Sequence, residues 1–64
     1  MPMSGYELLK HALKNGWSKK KGNGGSHQVV EKPGFRPVSI PVHRKEMKKG
    51  TESDLLKQLG LKKP

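Results

Sequence analysis

The scarcity of large aliphatic side chains constrains the fold of this chain more than any other feature. Leu, Ile, Val and Phe together make up 13 of the 64 residues, and the formal net charge is +9. That composition lies near the border between folded and disordered chains, and so short a chain buries only about 60% of its surface on folding. We therefore predict one small domain over 1–64, with a thin core, marginal stability and a frayed tail at 61–64.

The first part of the chain has the pattern of a capped amphipathic helix. Ser4 and Glu7 have the spacing of a capping box. Gly16 fits the left-handed position that follows a helix, and Trp17 can then fold back onto the core. We predict a helix over 5–15. Its apolar stripe consists of Leu8, Leu9, Ala12 and Leu13.

A second helix is predicted near the end of the chain. Thr51 is the expected N-cap, because acidic residues follow it in the first turn. Gly60 is expected to end the helix, with Leu61 packing back in a Schellman motif. Before Thr51, the segment from Lys45 to Lys49 has the pattern of a short helical turn that Gly50 should break.

The middle of the chain reads as three short strands, predicted at 17–21, 26–31 and 37–42. Pro33 and Gly34 occupy the positions that a type II turn prefers, which joins the last two strands into a hairpin. The fold class is therefore α+β, with the order α-β-β-β-α. Two helices can cover only one face of a three-stranded antiparallel sheet, so function should lie on or beside the open face.

His27 is the best placed residue for chemistry. It follows Gly24, Gly25 and Ser26, a segment that lets the backbone bend and a ligand approach closely. Histidine can both donate and accept a proton near neutral pH. If Val30 is in the core, His27 faces solvent, whereas a buried Val29 would turn His27 inward. A strand histidine with no functional role is the competing interpretation.

The remaining candidate groups are less well placed. His43 ends the third predicted strand and could assist His27, whereas His11 is expected on the helix surface. The spacing of the histidines does not suggest a zinc site, the carboxylates are scattered, and there are no cysteines. We predict no metal and no cofactor. Because no apolar run is long enough to span a membrane, we expect no membrane partner and a cytoplasmic location.

Basic residues flank the histidine segment on both sides. Twelve of the 14 basic residues are lysine, which suits phosphate contacts better than base reading. Cleavage of RNA through the 2′ hydroxyl needs a base, an acid and nearby cations, and one histidine with lysines can supply them. A solvated basic face is the alternative. The predicted RNA-binding residues are Lys19, Lys20, Lys21, Arg44, Lys45, Lys48 and Lys49.

Several motifs in a fixed order give the chain a family resemblance. They are Asn15-Gly16-Trp17, Gly25-Ser26-His27, Ile40-Pro41-Val42-His43 and Lys48-Lys49-Gly50-Thr51. In this order they resemble the HicA family of bacterial toxins, which are small ribonucleases that cleave mRNA and are inhibited by a HicB antitoxin.

The resemblance implies a domain similar to a double-stranded-RNA-binding fold and a metal-independent endoribonuclease. It assigns catalysis to His27, with Gly25, Ser26 and His43 as supporting residues. The toxin would be a monomer when alone and part of a hetero-oligomer with a HicB-type antitoxin. One departure is Gln28, because many members have a second histidine there.

Two other functions fit the same sequence. A non-catalytic RNA-binding module of this fold would bind RNA in a salt-sensitive way without cutting it. A basic adaptor would use its charge only to engage an acidic protein. An RNA cleavage assay distinguishes the RNA-binding module from the predicted toxin. An RNA-binding assay distinguishes the basic adaptor from both.

Overall fold

Two helices and a three-stranded sheet follow one another along the chain in the predicted order. A computed structural model of the protein describes residues 3–20, 27–42 and 45–62. The elements are α1 (Gly5–Lys14), β1 (Ser18–Lys19), β2 (His27–Glu31), β3 (Val38–Pro41) and α2 (Lys49–Leu59). The α+β class and the antiparallel order β1-β2-β3 are confirmed. This architecture is consistent with the implied similarity to double-stranded-RNA-binding domains.

The capping signals at both ends of α1 are confirmed. The Ser4 hydroxyl accepts the Glu7 N–H at 3.1 Å, and the Glu7 carboxylate accepts the Ser4 N–H at 3.0 Å. At the other end Gly16 has a φ of +92°, and the N–H of Trp17 donates to the carbonyl of Ala12 at 3.2 Å. Local sequence therefore determines where this helix begins and ends.

The hairpin of β2 and β3 closes through the predicted turn. The N–H of Phe35 donates to the carbonyl of Lys32 at 3.0 Å, and Gly34 has a φ of +86° at the position where a type II turn requires it. In contrast, β1 has only two residues and is shorter than predicted. The sheet is therefore well paired on one side of β2 and minimally paired on the other.

Strand pairing identifies the two faces of the sheet. Val30 is fully buried and lies opposite Val38, whose side chain is also buried. Side chains alternate along a strand, so His27 and Val29 lie on the face opposite the helices. The alternative that the sequence left open is resolved: Val30 is the core residue, and His27 is exposed.

The outer edge of β3 has a defined backbone pattern. The N–H of Lys20 donates to the carbonyl of Val29, so the backbone groups of Val29 point toward β1. The backbone groups of Gln28 and Val30 point toward β3, where they face Ile40 and Val38. The backbone groups of Ser39 and Pro41, which alternate with these, therefore point away from β2 to the outer edge. Pro41 ends an edge strand, a position that suits proline because it cannot donate a hydrogen bond to a ladder.

The core is small and lies between the helices and the sheet. Trp17 is 3% exposed, which confirms its predicted place in the core, and Phe35 packs edge-on against it with ring centroids 5.3 Å apart. Leu13 is 37% exposed, so its predicted place in the apolar stripe is wrong. The buried hydrophobic residues are Leu8, Leu9, Ala12, Trp17, Val30, Val38, Ile40, Leu55, Leu56 and Leu59.

The start of α2 differs from the prediction. The helix begins at Lys49 with Lys48 as N-cap, so Thr51 is not the N-cap. Gly50 lies within the helix and does not break a turn. Helix propensity and capping preference are weak where other contacts fix the chain.

Those contacts come from the N-terminal segment of the protein. The carboxylate of Glu52, whose side chain is 1% exposed, accepts the backbone N–H of Met3. The N–H of Met47 donates to the carbonyl of Met3 at 3.0 Å, and Ser4 forms an isolated β-bridge with Glu46. The segment before α2 is thus held extended beside the start of α1, and the helix begins where this pairing ends.

The end of α2 follows its local signal. Gly60 has a φ of +69°, and the N–H of Leu61 donates to the carbonyl of Leu56 at 2.9 Å, which confirms the Schellman motif. Leu61 packs against the core. Nε2 of His11 lies 2.8 Å from the carbonyl of Lys62, so the chain is held to α1 through this residue.

Candidate functional site

His27 lies at the start of β2 on the open face of the sheet. It is exposed, and its register partner is Pro41 at the end of β3. Val30 in β2 and Val38 and Ile40 in β3 are buried against the helices. Placing His27 on that side would need a one-residue shift of β2, which would expose Val30. The fold therefore holds this imidazole on a paired strand and in contact with solvent.

Lys20 shares the open face with His27. Its N–H donates to the carbonyl of Val29 at 2.9 Å, which places it directly opposite that residue and diagonal to His27. Diagonal neighbours on one face of an antiparallel pair are about 7–8 Å apart, within reach of a lysine side chain. Lys19 pairs with Val30 and so lies on the helix side, although it is exposed.

A second basic segment, from Lys45 to Lys49, follows the end of β3 that lies beside His27. Lys45, Lys48 and Lys49 are all exposed. Lys45 follows Pro41 by four residues, so the two Cα atoms are separated by no more than about 14 Å. Both helices also begin at this end, which adds the partial positive charge of their N-termini. Topology thus brings the two basic segments to the end of the sheet where His27 lies.

Five predicted site residues lie outside the described residues. They are Lys21, Gly25, Ser26, His43 and Arg44. Their roles stay predictions. His11 is described and lies on α1, on the other side of the sheet from His27, where Asn15 donates to its carbonyl at 2.8 Å.

Gln28 forms a contact that sequence reasoning missed. It is half-buried on the helix side of β2, and its Nε2 donates to the carbonyl of Lys20 at 3.2 Å and to that of Val29 at 2.9 Å. Strand parity predicts its face. A bond from its side chain to a backbone group eight residues earlier has no signal in the sequence.

Within 3–20, 27–42 and 45–62, no three His, Cys, Asp or Glu side chains are grouped so that they could hold a metal ion. None of the helices in that part of the chain is long and apolar enough to cross a membrane.

Comparison with known proteins identifies the family. The model of the HicA toxin of bacterial toxin–antitoxin systems matches residues 5–61, which is most of the chain. The protein belongs to the HicA toxin family. No curated protein matches the chain significantly.

A solved structure supports the HicA assignment. A chain of a toxin–antitoxin complex from Streptococcus pneumoniae is 42% identical to this HicA family member, with a TM-score of 0.78. The match covers 94% of this chain and 100% of that chain. The protein is therefore a toxin of the HicA type by both sequence and fold.

Proposed function

We propose that this protein is an endoribonuclease toxin that cleaves mRNA without a metal ion. The observation that carries the proposal is the position of His27 on the open face of the sheet, diagonal to Lys20. Membership of the HicA family supports it, as does the net charge of +9, which favours a polyanionic substrate.

The proposed reaction is attack of a 2′ hydroxyl on the neighbouring phosphate. His27 accepts the 2′ proton, the 2′ oxygen bonds to phosphorus, and the bond from phosphorus to the 5′ oxygen breaks. The leaving oxygen takes a proton from a lysine ammonium or from water, which yields a 2′,3′-cyclic phosphate and a 5′ hydroxyl. Lys20 contributes positive charge where negative charge accumulates on the phosphate.

The proposal includes an antitoxin partner of the HicB type. The similar structure from Streptococcus pneumoniae is that of a toxin–antitoxin complex. A partner seated on the open face would cover His27 and Lys20 together, since both project from the same side of the sheet. The toxin alone is proposed to be a monomer in the cytoplasm, where its mRNA substrate is found.

The test compares cleavage of RNA by the wild type and by His27→Ala, each in EDTA. We expect wild-type cleavage to persist in chelator and His27→Ala to lose at least about 100-fold in rate, the usual contribution of a general acid–base. Affinity for RNA should change little. His11→Ala is the matched control, because His11 is on the helix side of the molecule.

Three outcomes would contradict parts of the proposal. Wild-type rates in His27→Ala would remove the catalytic role of this residue, and loss of cleavage in EDTA would remove the metal-independent mechanism. Salt-sensitive binding with no cleavage by the wild type would instead favour a non-catalytic RNA-binding module, which the same exposed lysines would support.

A further inference from the structure

Lys20 lies beyond the last residue of β1 but is still held in register. The strand ends at Lys19, and within the described residues two register pairs join β1 to β2, followed by the bond from the Lys20 N–H to Val29. So short a pairing is weak by itself, because a two-stranded contact of this size adds few hydrogen bonds and little apolar contact. The backbone bond from the Lys20 N–H to the Val29 carbonyl is one further restraint on Lys20, and another comes from a side chain.

The side chain of Gln28 provides this restraint. Its amide nitrogen donates to the carbonyls of Lys20 and Val29, which bracket the point where the ladder between β1 and β2 ends. A Gln side-chain nitrogen has two N–H donors, and both are used here. The amide therefore reinforces the pairing of the two strands at Lys20, whose own N–H donates to the carbonyl of Val29.

Gln28 lies on the helix side of the sheet. Adjacent residues of a strand point to opposite faces, so Gln28 is directed away from the face that carries His27. It is half-buried and lies on the same face of β2 as the core residue Val30. From this position Gln28 contacts the backbone of Lys20, whose side chain lies on the open face.

We propose that Gln28 is a positioning residue that holds Lys20 beside His27, so that Lys20 is the cation that contacts the phosphate at the cleavage position. This inference rests on the proposed function, since it assigns Lys20 to RNA. It separates Lys20 from Lys19, which strand parity places on the helix side. It also gives position 28 a role that involves no contact with RNA.

The experiment is a double-mutant cycle between Gln28→Met and Lys20→Ala. Methionine has nearly the length of glutamine but no donor, and Gln58→Met is the matched control on the exposed face of α2. Affinity is measured on single-stranded 2′-O-methyl RNA, which has no 2′ hydroxyl to attack the phosphate, as a function of salt. Cleavage of unmodified RNA is measured in parallel.

We expect Gln28→Met to weaken binding roughly two- to tenfold, the equivalent of one or two hydrogen bonds. Lys20→Ala should weaken binding more and lower the salt slope by about 0.7, the value for one phosphate on a single strand. In the Lys20→Ala background, Gln28→Met should have almost no further effect on binding or rate. Gln58→Met should behave as the wild type.

Two results would overturn the inference. One is an unchanged affinity in Gln28→Met, and the other is an equal loss with and without Lys20, which would indicate a general effect on folding. Amide hydrogen exchange gives an independent check, because the Lys20 amide should exchange faster in Gln28→Met while the core strand amides do not. Since the binding assay needs no cleavage, a wild type that binds but does not cut RNA contradicts the proposed reaction alone.

Discussion

Replacing Gly50 by alanine tests the observed start of α2. Gly50 lies in the helix with no positive φ, and a Cβ built there has no heavy atom within 4 Å. Alanine is favoured over glycine in a helix by roughly 0.5–1 kcal/mol, chiefly because glycine loses more backbone freedom on folding. No clash opposes that gain, so Gly50→Ala should stabilise the protein by about that amount.

Two other glycines serve as controls with the opposite sign. Gly34 has a φ of +86° and open space around its Cα, so alanine there should cost about 1–2 kcal/mol through backbone strain alone. Gly60 has a φ of +69°, and a Cβ would lie 3.2 Å from Cε2 of Phe35. Gly60→Ala should therefore be more destabilising than Gly34→Ala.

Thermal and urea unfolding followed by circular dichroism measure all three variants. For a domain of this size, 1 kcal/mol corresponds to a shift in Tm of about 4–8 °C. We expect Gly50→Ala to raise Tm by about 2–8 °C and the other two variants to lower it. A destabilised Gly50→Ala would refute the helical assignment and favour a helix that begins at Thr51.

Two further substitutions test contacts at the start of the helices. Ser4→Ala should lower the free energy of unfolding by about 1 kcal/mol, because it removes the acceptor for the Glu7 N–H. Urea unfolding measures this loss, and an unchanged stability would mean that the capping box contributes nothing. Glu52→Ala should cost about 1.5–3 kcal/mol by depriving the Met3 N–H of a buried charged acceptor, whereas exposed Glu46→Ala should cost far less. Equal losses in the two glutamate variants would contradict the anchoring role of Glu52.

The sequence was sufficient wherever a local signal determines the backbone. The capping box of α1, the type II turn at Gly34 and the Schellman motif at Gly60 are all confirmed, because each depends on residues a few positions apart. In β3 the apolar residues Val38 and Ile40 alternate with Ser39 along the sequence, and both are buried.

The start of α2 could not be predicted in this way. It depends on the bond from Met3 to Glu52, which joins residues 49 positions apart. Thr51 has the preferred chemistry of an N-cap, but the pairing of Glu46 with Ser4 fixes the backbone earlier in the chain. Long-range contacts overrode a weak local preference.

The candidate site shows the same division. The sequence singled out His27 but left its face open, because Val29 and Val30 are adjacent and either could be the core residue. The structure decides this through the burial of Val30. The restraint of Lys20 by Gln28 joins two strands across the sheet and has no counterpart in a linear pattern.

Pro41 has a further consequence for how copies of this chain can associate. Edge strands invite the addition of another strand, and such addition leads to swapped dimers and aggregates. The outward-facing backbone position at Pro41 has no N–H, so an incoming strand would lose a ladder hydrogen bond there. Addition of a strand to the edge of β3 is therefore disfavoured at Pro41, the residue paired with His27. That end of the sheet thus stays accessible at high protein concentration.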